Sequence, residues 1–300
     1  MERKWYGGDA GLSARMFLTM FLLFAVYAAF LYFLFQAGTD FITMAILASI
    51  FLAVQYFFSD QVVLWTTGAR VVTPNQAPDL HARIDRLCQL ADLPKPKVAI
   101  MPSNMPNAFA TGHNPSSSTV AVTTGLLDRL DGPELDAVLA HELAHIKNRD
   151  VAVMTIASFL STVAFTIVRF SMWFGFPSGG RRDRNSSGGA LILGYLGALA
   201  VWLISMLLIR ALSRYREFAA DRGSAIITGA PSQLASALVK ISGAIQRIPD
   251  RDLREVQGAN AFFILPAVSR GSLLELFSTH PSLESRLERL RRMEQQIEGL

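Results

Sequence analysis

Four stretches of this sequence are long enough and free enough of charge to cross a lipid bilayer, and they constrain everything around them. They run from Met16 to Phe35, Phe41 to Phe58, Val151 to about Val168, and Ala190 to Ile209, and none holds Asp, Glu, Lys or Arg. Each approaches the ~20 residues that a helix rising ~1.5 Å per residue needs to span hydrocarbon. A chain that is 51% hydrophobic and only 17% charged fits this better than it fits a water-soluble domain. The first run is longer than the ~7–15 apolar residues of a secretory signal and is followed by no small-residue cleavage site, so it reads as an anchor. The net charge is +4 with dispersed bases, which points to membrane lipid as a partner and away from nucleic acid.

Orientation follows from the bases near the span ends. With the N-terminus inside, the cytoplasmic side collects Arg3, Lys4, Arg15, Arg70, Lys147, Arg149, Arg210, Arg214 and Arg216, against Arg181, Arg182 and Arg184 outside. Both termini are therefore expected in the cytoplasm. Four parts result: an N-terminal membrane hairpin over 1–58, a soluble part over 59–150, a second membrane hairpin over 151–209 and a second soluble part over 210–300. The two soluble parts share one side because two spans separate them. Cys88 is the sole cysteine, which excludes an internal disulfide and suits a reducing compartment.

Within the soluble parts, Leu80, Ile84, Leu87 and Leu90 have helical spacing, and "KVAIM", "NAFATG" and "STVAVTTG" read as strands. Pro133 opens a helix through "ELDAVLAHELAHIKN". "PSQLASALVKISGAIQRI" and "PSLESRLERLRRMEQQI" are amphipathic helices, each opened by a proline. Residues 251–272 show no assignable pattern.

The segment "LAHELAHIKNRD" carries the chemistry. Residues four apart on a helix are offset by about 40°, so His141 and His145 present their imidazoles to one point. That is a zinc-ligand spacing, with Glu142 about 100° round from His141, outside the ligand shell and within reach of water beside the ion. A catalytic zinc takes three protein ligands, so a third is required. Glu217 in "SRYREFAADRGSA" is the candidate, and Asp221, one turn on, is placed to accept the free ring N–H of a ligating histidine. Read alone, this segment is a charged helix start with Glu217 paired to Arg214 or Asp221 to a nearby arginine.

HELAH followed by "IKNRD", the downstream "SRYREFAAD", the upstream "NAFATG" and the late "STHP", arranged among four membrane runs, resemble the HtpX-type membrane metalloproteases, relatives of the CAAX prenyl endopeptidases. The resemblance covers nearly the whole chain. It implies a mainly α membrane protein: four transmembrane helices plus a gluzincin-like cytoplasmic α+β domain with a small β-sheet. It also implies one catalytic Zn2+ ion held by His141, His145 and Glu217, with Glu142 as catalytic glutamate and Asp221 supporting a ligand. The activity implied is endopeptidase cleavage of misfolded or damaged membrane proteins at the cytoplasmic face of a bacterial or archaeal inner membrane. The segment Gly179 to Gly189 matches no motif of that family.

Oxyanion donors are still needed, and His280 in "THP" and Arg214 in "SRYRE" are candidates. A polypeptide substrate can add to a sheet edge at Asn107, Ala108 and Phe109, a role the family resemblance supports. From the residues alone that strand reads as core with Phe109 packed inward. Two rivals stand beside the endopeptidase reading. A prenyl-protein endopeptidase shares the chemistry, with more spans expected, and a non-catalytic scaffold would be expected to lack some of the four site residues, all of which are present. An intramembrane protease is disfavoured because Glu134, Asp136, Lys147, Arg149 and Asp150 flank the motif, and burying them in lipid is expensive. The "LDG" at Leu130 to Gly132 is then a coincidence.

Overall fold

The computed structural model describes residues 10–36, scattered positions between 42 and 61, and residues 63–174, 187–247 and 280–299. In chain order the elements are α1 (Ala10–Gln36), β1 (Arg70–Val71), α2 (Pro78–Ala91), β2 (Lys97–Met101), β3 (Ala108–Thr111) and β4 (Thr119–Thr123), then α3 (Gly132–Lys147), α4 (Asp150–Phe174), α5 (Ser187–Thr228), α6 (Pro231–Ile245) and α7 (Leu283–Glu298). They fall into two units. One comprises Met1–Leu12, Phe57–Ala152 and Ser213–Leu300, the other Ser13–Tyr56 and Val153–Leu212.

The first unit is built on a mixed four-stranded sheet in the order β1-β2-β4-β3. β2 and β4 are parallel, while β1 and β3 flank them antiparallel. Strand alternation sorts the side chains onto two faces. Val98, Val120, Val122 and Ala108 join a core with Leu80, Ile84 and Leu87 of α2, Val138 and Leu143 of α3, and Leu238 and Ile241 of α6. The opposite face stacks Ala99, Phe109 and Ala121 against Val63. Every residue of β4 is buried, as expected of a central strand covered on both sides. The two-residue β1 was not foreseen, being too short to carry a period.

In α2 the buried stripe is Leu80, Ile84, Leu87, Cys88 and Ala91. Leu90, expected inside, is 55% exposed, because the step from Leu87 that keeps the stripe in phase reaches Ala91. α3 starts at a capping box, in which Asp131 accepts from the Glu134 amide and Glu134 accepts from the Asp131 amide. The aspartate of "LDG" is thus a helix cap. α7 is opened by Ser282, whose hydroxyl accepts from the Ser285 amide, so Pro281 lies outside the helix it was expected to begin. The buried stripe of α7 is Arg286, Leu290 and Met293.

In the second unit, α1, α4 and the first half of α5 are largely apolar. Leu23 and Tyr27 cluster with Ala157 and Leu212, and Phe30 clusters with Ala164, Val168 and Ala198. The Tyr27 hydroxyl donates to the Ala157 carbonyl at 2.5 Å. Phe17, Phe24, Leu203 and Leu207 are exposed, an arrangement that lipid tolerates and water does not. Two described helices, Ala10–Tyr32 and Gly194–Thr228, are long and apolar enough to cross a membrane. Of the four runs expected to span, most of the second lies outside the described residues, and the third falls within the 25-residue α4. The segments 175–186 and 248–279 also lie outside them, including most of the Gly/Arg-rich loop and all of 251–272.

Candidate metal centre

The last turns of α3 carry His141, Glu142 and His145, all on a helix packed into the sheet and α6 core. The C-terminal half of α5 brings Glu217 to them. His141 Nε2 and His145 Nε2 are 3.2 Å apart, Glu217 Oε2 is 3.6 Å from the former and Oε1 is 3.5 Å from the latter. Ligands ~2.0–2.1 Å from a tetrahedral zinc lie ~3.3 Å from one another, so this triangle has the edges of a metal face. His141, His145 and Glu217 form a possible metal-holding group among the described residues.

The supporting contacts decide what the ring nitrogens offer. His141 Nδ1 faces Asp221 Oδ1 at 3.1 Å, and His145 Nδ1 meets Asp150 Oδ2 at 2.6 Å. A carboxylate at Nδ1 favours the proton there and leaves the Nε2 lone pair free. With both rings neutral, two lone pairs and a carboxylate converge on one point, and three acceptors so close together call for a cation between them, a proton or a metal ion. The donor set fits zinc.

Each supporting acid is itself held by an arginine. Asp221 accepts from Arg286 Nε at 2.9 Å and from its Nη2 at 2.5 Å, and Arg286 Nη1 is 3.5 Å from Glu217 Oε2. Asp150 meets Arg216 Nε at 2.9 Å. Arg286 has no exposed surface, and Asp150, Arg216, Glu217 and Asp221 are buried. Burial opposes a charged His141 ring, but Asp221 and Glu217 outweigh it and raise its pKa to about 9. For Glu142, burial pushes the carboxyl above its ordinary range and Glu217 adds to this, while His141, His145 and Arg286 oppose.

Of the residues expected from sequence, the structure brings together His141, His145, Glu217 and Asp221, with Glu142 buried beside them. His280 joins the cluster, its Nδ1 3.3 Å from Glu217 Oε2. Arg214 is half-buried, and among the described residues no hydrogen bond or ion pair ties it to the cluster. Arg216, which sequence reading counts only as a charge beside the membrane, is the one that turns inward. Asn107, Ala108 and Phe109 sit at the start of the edge strand β3. The Asn107 carbonyl accepts from the Thr123 amide and the Asn107 amide donates to the Thr123 hydroxyl, and Phe109 packs on Ala99 and Ala121. Sequence reading gave no structural role to Asp150 or Arg286. The available signals were an acid five residues past His145 and an arginine in phase with Leu290 and Met293.

A helix bearing H-E-x-x-H, closed by a glutamate carried on a helix long and apolar enough to cross a membrane, defines a membrane metallopeptidase. The profile of Peptidase family M48 matches residues 74–294. "Protease HtpX homolog" of Moorella thermoacetica is 60% identical over 296 residues, 99% of either chain. "Protease HtpX homolog 2" of Methanosarcina mazei is 58% identical over 297 residues, covering 99% of this chain and 100% of its own. The crystal structure of S. mikatae Ste24p superposes with a TM-score of 0.53 at 19% identity, over 94% of this chain and 67% of that one, a likeness of fold alone. The chain belongs to peptidase family M48, among its HtpX-type proteases.

Proposed function

We propose that this protein is a zinc-dependent endopeptidase of the cell membrane, with four spans and its active site on the cytoplasmic side, cleaving misfolded or damaged membrane proteins. The observation that carries the reading is the convergence of the His141, His145 and Glu217 acceptor atoms. Zinc bound there supplies a Lewis acid for the scissile carbonyl and acidifies water. Glu142, buried and with its carboxyl raised above the ordinary range, takes a proton from the attacking water and returns it to the leaving amine. His280, beside Glu217, is the nearer of the two proposed oxyanion donors, and Arg214 has less to support it. The outer edge of β3 receives the substrate backbone as an added strand, Asn107 and Ala108 marking where it enters. Phe109 supports that strand from the core side.

The test is purification of the wild type and Glu142→Ala in detergent without chelator, followed by zinc analysis and digestion of an unfolded protein. About one zinc is expected in both, with hydrolysis only in the wild type. Equal hydrolysis would remove Glu142 from the reaction, and zinc-free wild type that digests the substrate would remove the metal. Cleavage confined to a prenylated peptide would favour the CAAX-type alternative.

A further inference from the structure

Two histidine ligands are supported here by two separate acid–arginine pairs, and the two pairs come from different places in the chain. Asp221 lies on α5 and Arg286 on α7, so His141 is supported from distant sequence. His145 is supported by Asp150, only five residues on. That contact exists because Arg149 adopts a left-handed backbone, φ 56°, which ends α3 and turns the chain at once into α4. A non-glycine residue in this conformation costs about 1–2 kcal/mol. The strained turn places Asp150 Oδ2 against His145 Nδ1 and leaves Oδ1 for Arg216 Nε, at 2.6 and 2.9 Å. Asp150 has 2% exposure, so this is a desolvated acid with one partner on each oxygen.

We propose that Asp150 and Arg216 are positioning residues for the metal. Asp150 accepts the His145 Nδ1–H and fixes the ring so that Nε2 points into the cluster, and Arg216 holds the Asp150 carboxylate in the orientation that does so. This inference rests on the zinc reading of His141, His145 and Glu217. His145 is the more exposed of the two ligating rings, 13% against 1% for His141, so it has the greater need of an external hold.

The experiment measures zinc affinity of the full chain in detergent by competition with a chromophoric chelator, for wild type, Asp150→Asn, Arg216→Met and the double variant. The cobalt-substituted forms supply a ligand-field spectrum as a readout independent of turnover. Asp150→Asn is expected to bind zinc about 10- to 100-fold more weakly, with an altered cobalt spectrum. The double variant leaves no unpaired buried charge, and it should unfold like the metal-free wild type while keeping the affinity loss. It therefore decides the matter if Asp150→Asn alone fails to fold. A double variant that folds and binds zinc within twofold of wild type overturns the proposal. Wild type that binds no zinc, or binds it equally after His141→Ala, overturns the underlying metal reading instead.

Discussion

Gly223 lies six residues beyond Glu217 on α5, at the point where that helix passes α3. A Cβ placed on Gly223 would stand 2.4 Å from the Cβ of Ala144, the residue beside His145. Carbon atoms settle at ~3.5–4.0 Å, so Gly223→Ala requires the two helices to separate by roughly 1.1 Å or more. Metal–ligand distances tolerate only about ±0.2 Å. A displacement several times that limit falls between Glu217 and the two histidines. The overpacking itself costs about 1–3 kcal/mol. Gly223→Ala should therefore lower zinc affinity at least tenfold and abolish most hydrolysis in a protein that still folds. The structure also specifies the rescue: with the Ala144 Cβ removed, the nearest remaining atom is Ala144 Cα at 3.6 Å, an ordinary contact. Gly223→Ala combined with Ala144→Gly should regain zinc, less the ~1 kcal/mol helix penalty of the new glycine. Zinc titration and thermal unfolding of the three variants decide it. Full zinc occupancy and activity in the single variant would refute the reasoning, as would a folded double variant that recovers neither.

Arg286→Met should be severe, since it strips the partner from Asp221 and weakens the field on Glu217 in a fully buried place. A loss of about 3–5 kcal/mol in unfolding free energy is expected, measured by denaturant titration of the metal-free form, and Arg286→Lys should restore only part because it lacks the forked geometry. The His141 pKa of about 9 has a sign consequence for loading. Below that pH the metal-free ring carries a proton that zinc must displace, so zinc uptake at pH 7 should release at least about one proton. Affinity should climb as pH rises toward 9 and then flatten, and calorimetry in two buffers of different ionisation enthalpy measures the release.

The sequence exposes the parts of this site that obey a local period. His141 and His145 are one turn apart on one helix, and Glu217 and Asp221 repeat that spacing on another, so their faces follow from helix geometry alone. Strands β2, β3 and β4 were likewise legible from β-branched runs bounded by turn residues. Asp150 escaped because its role depends on a backbone reversal at Arg149, and nothing about an arginine announces a left-handed φ. Arg286 escaped because an arginine in the amphipathic helix "PSLESRLERLRRMEQQI" reads as part of its solvated face unless its burying partners, Asp221 and Glu217, are already known. Leu90 misled for a simpler reason, since two apolar residues compete for one turn of α2 and packing chose Ala91. The membrane runs were visible by composition, and two of them correspond to described helices that meet the criteria of length and apolarity.

The centre gathers Glu142, Asp150, Glu217 and Asp221 with Arg216 and Arg286, four carboxylates to two guanidiniums. With every one ionised and both rings neutral, that nest sits at minus two, the deficit one divalent ion neutralises. Without an ion, the same imbalance must be met by protons, so on the zinc reading proposed above, loading the centre exchanges protons for metal.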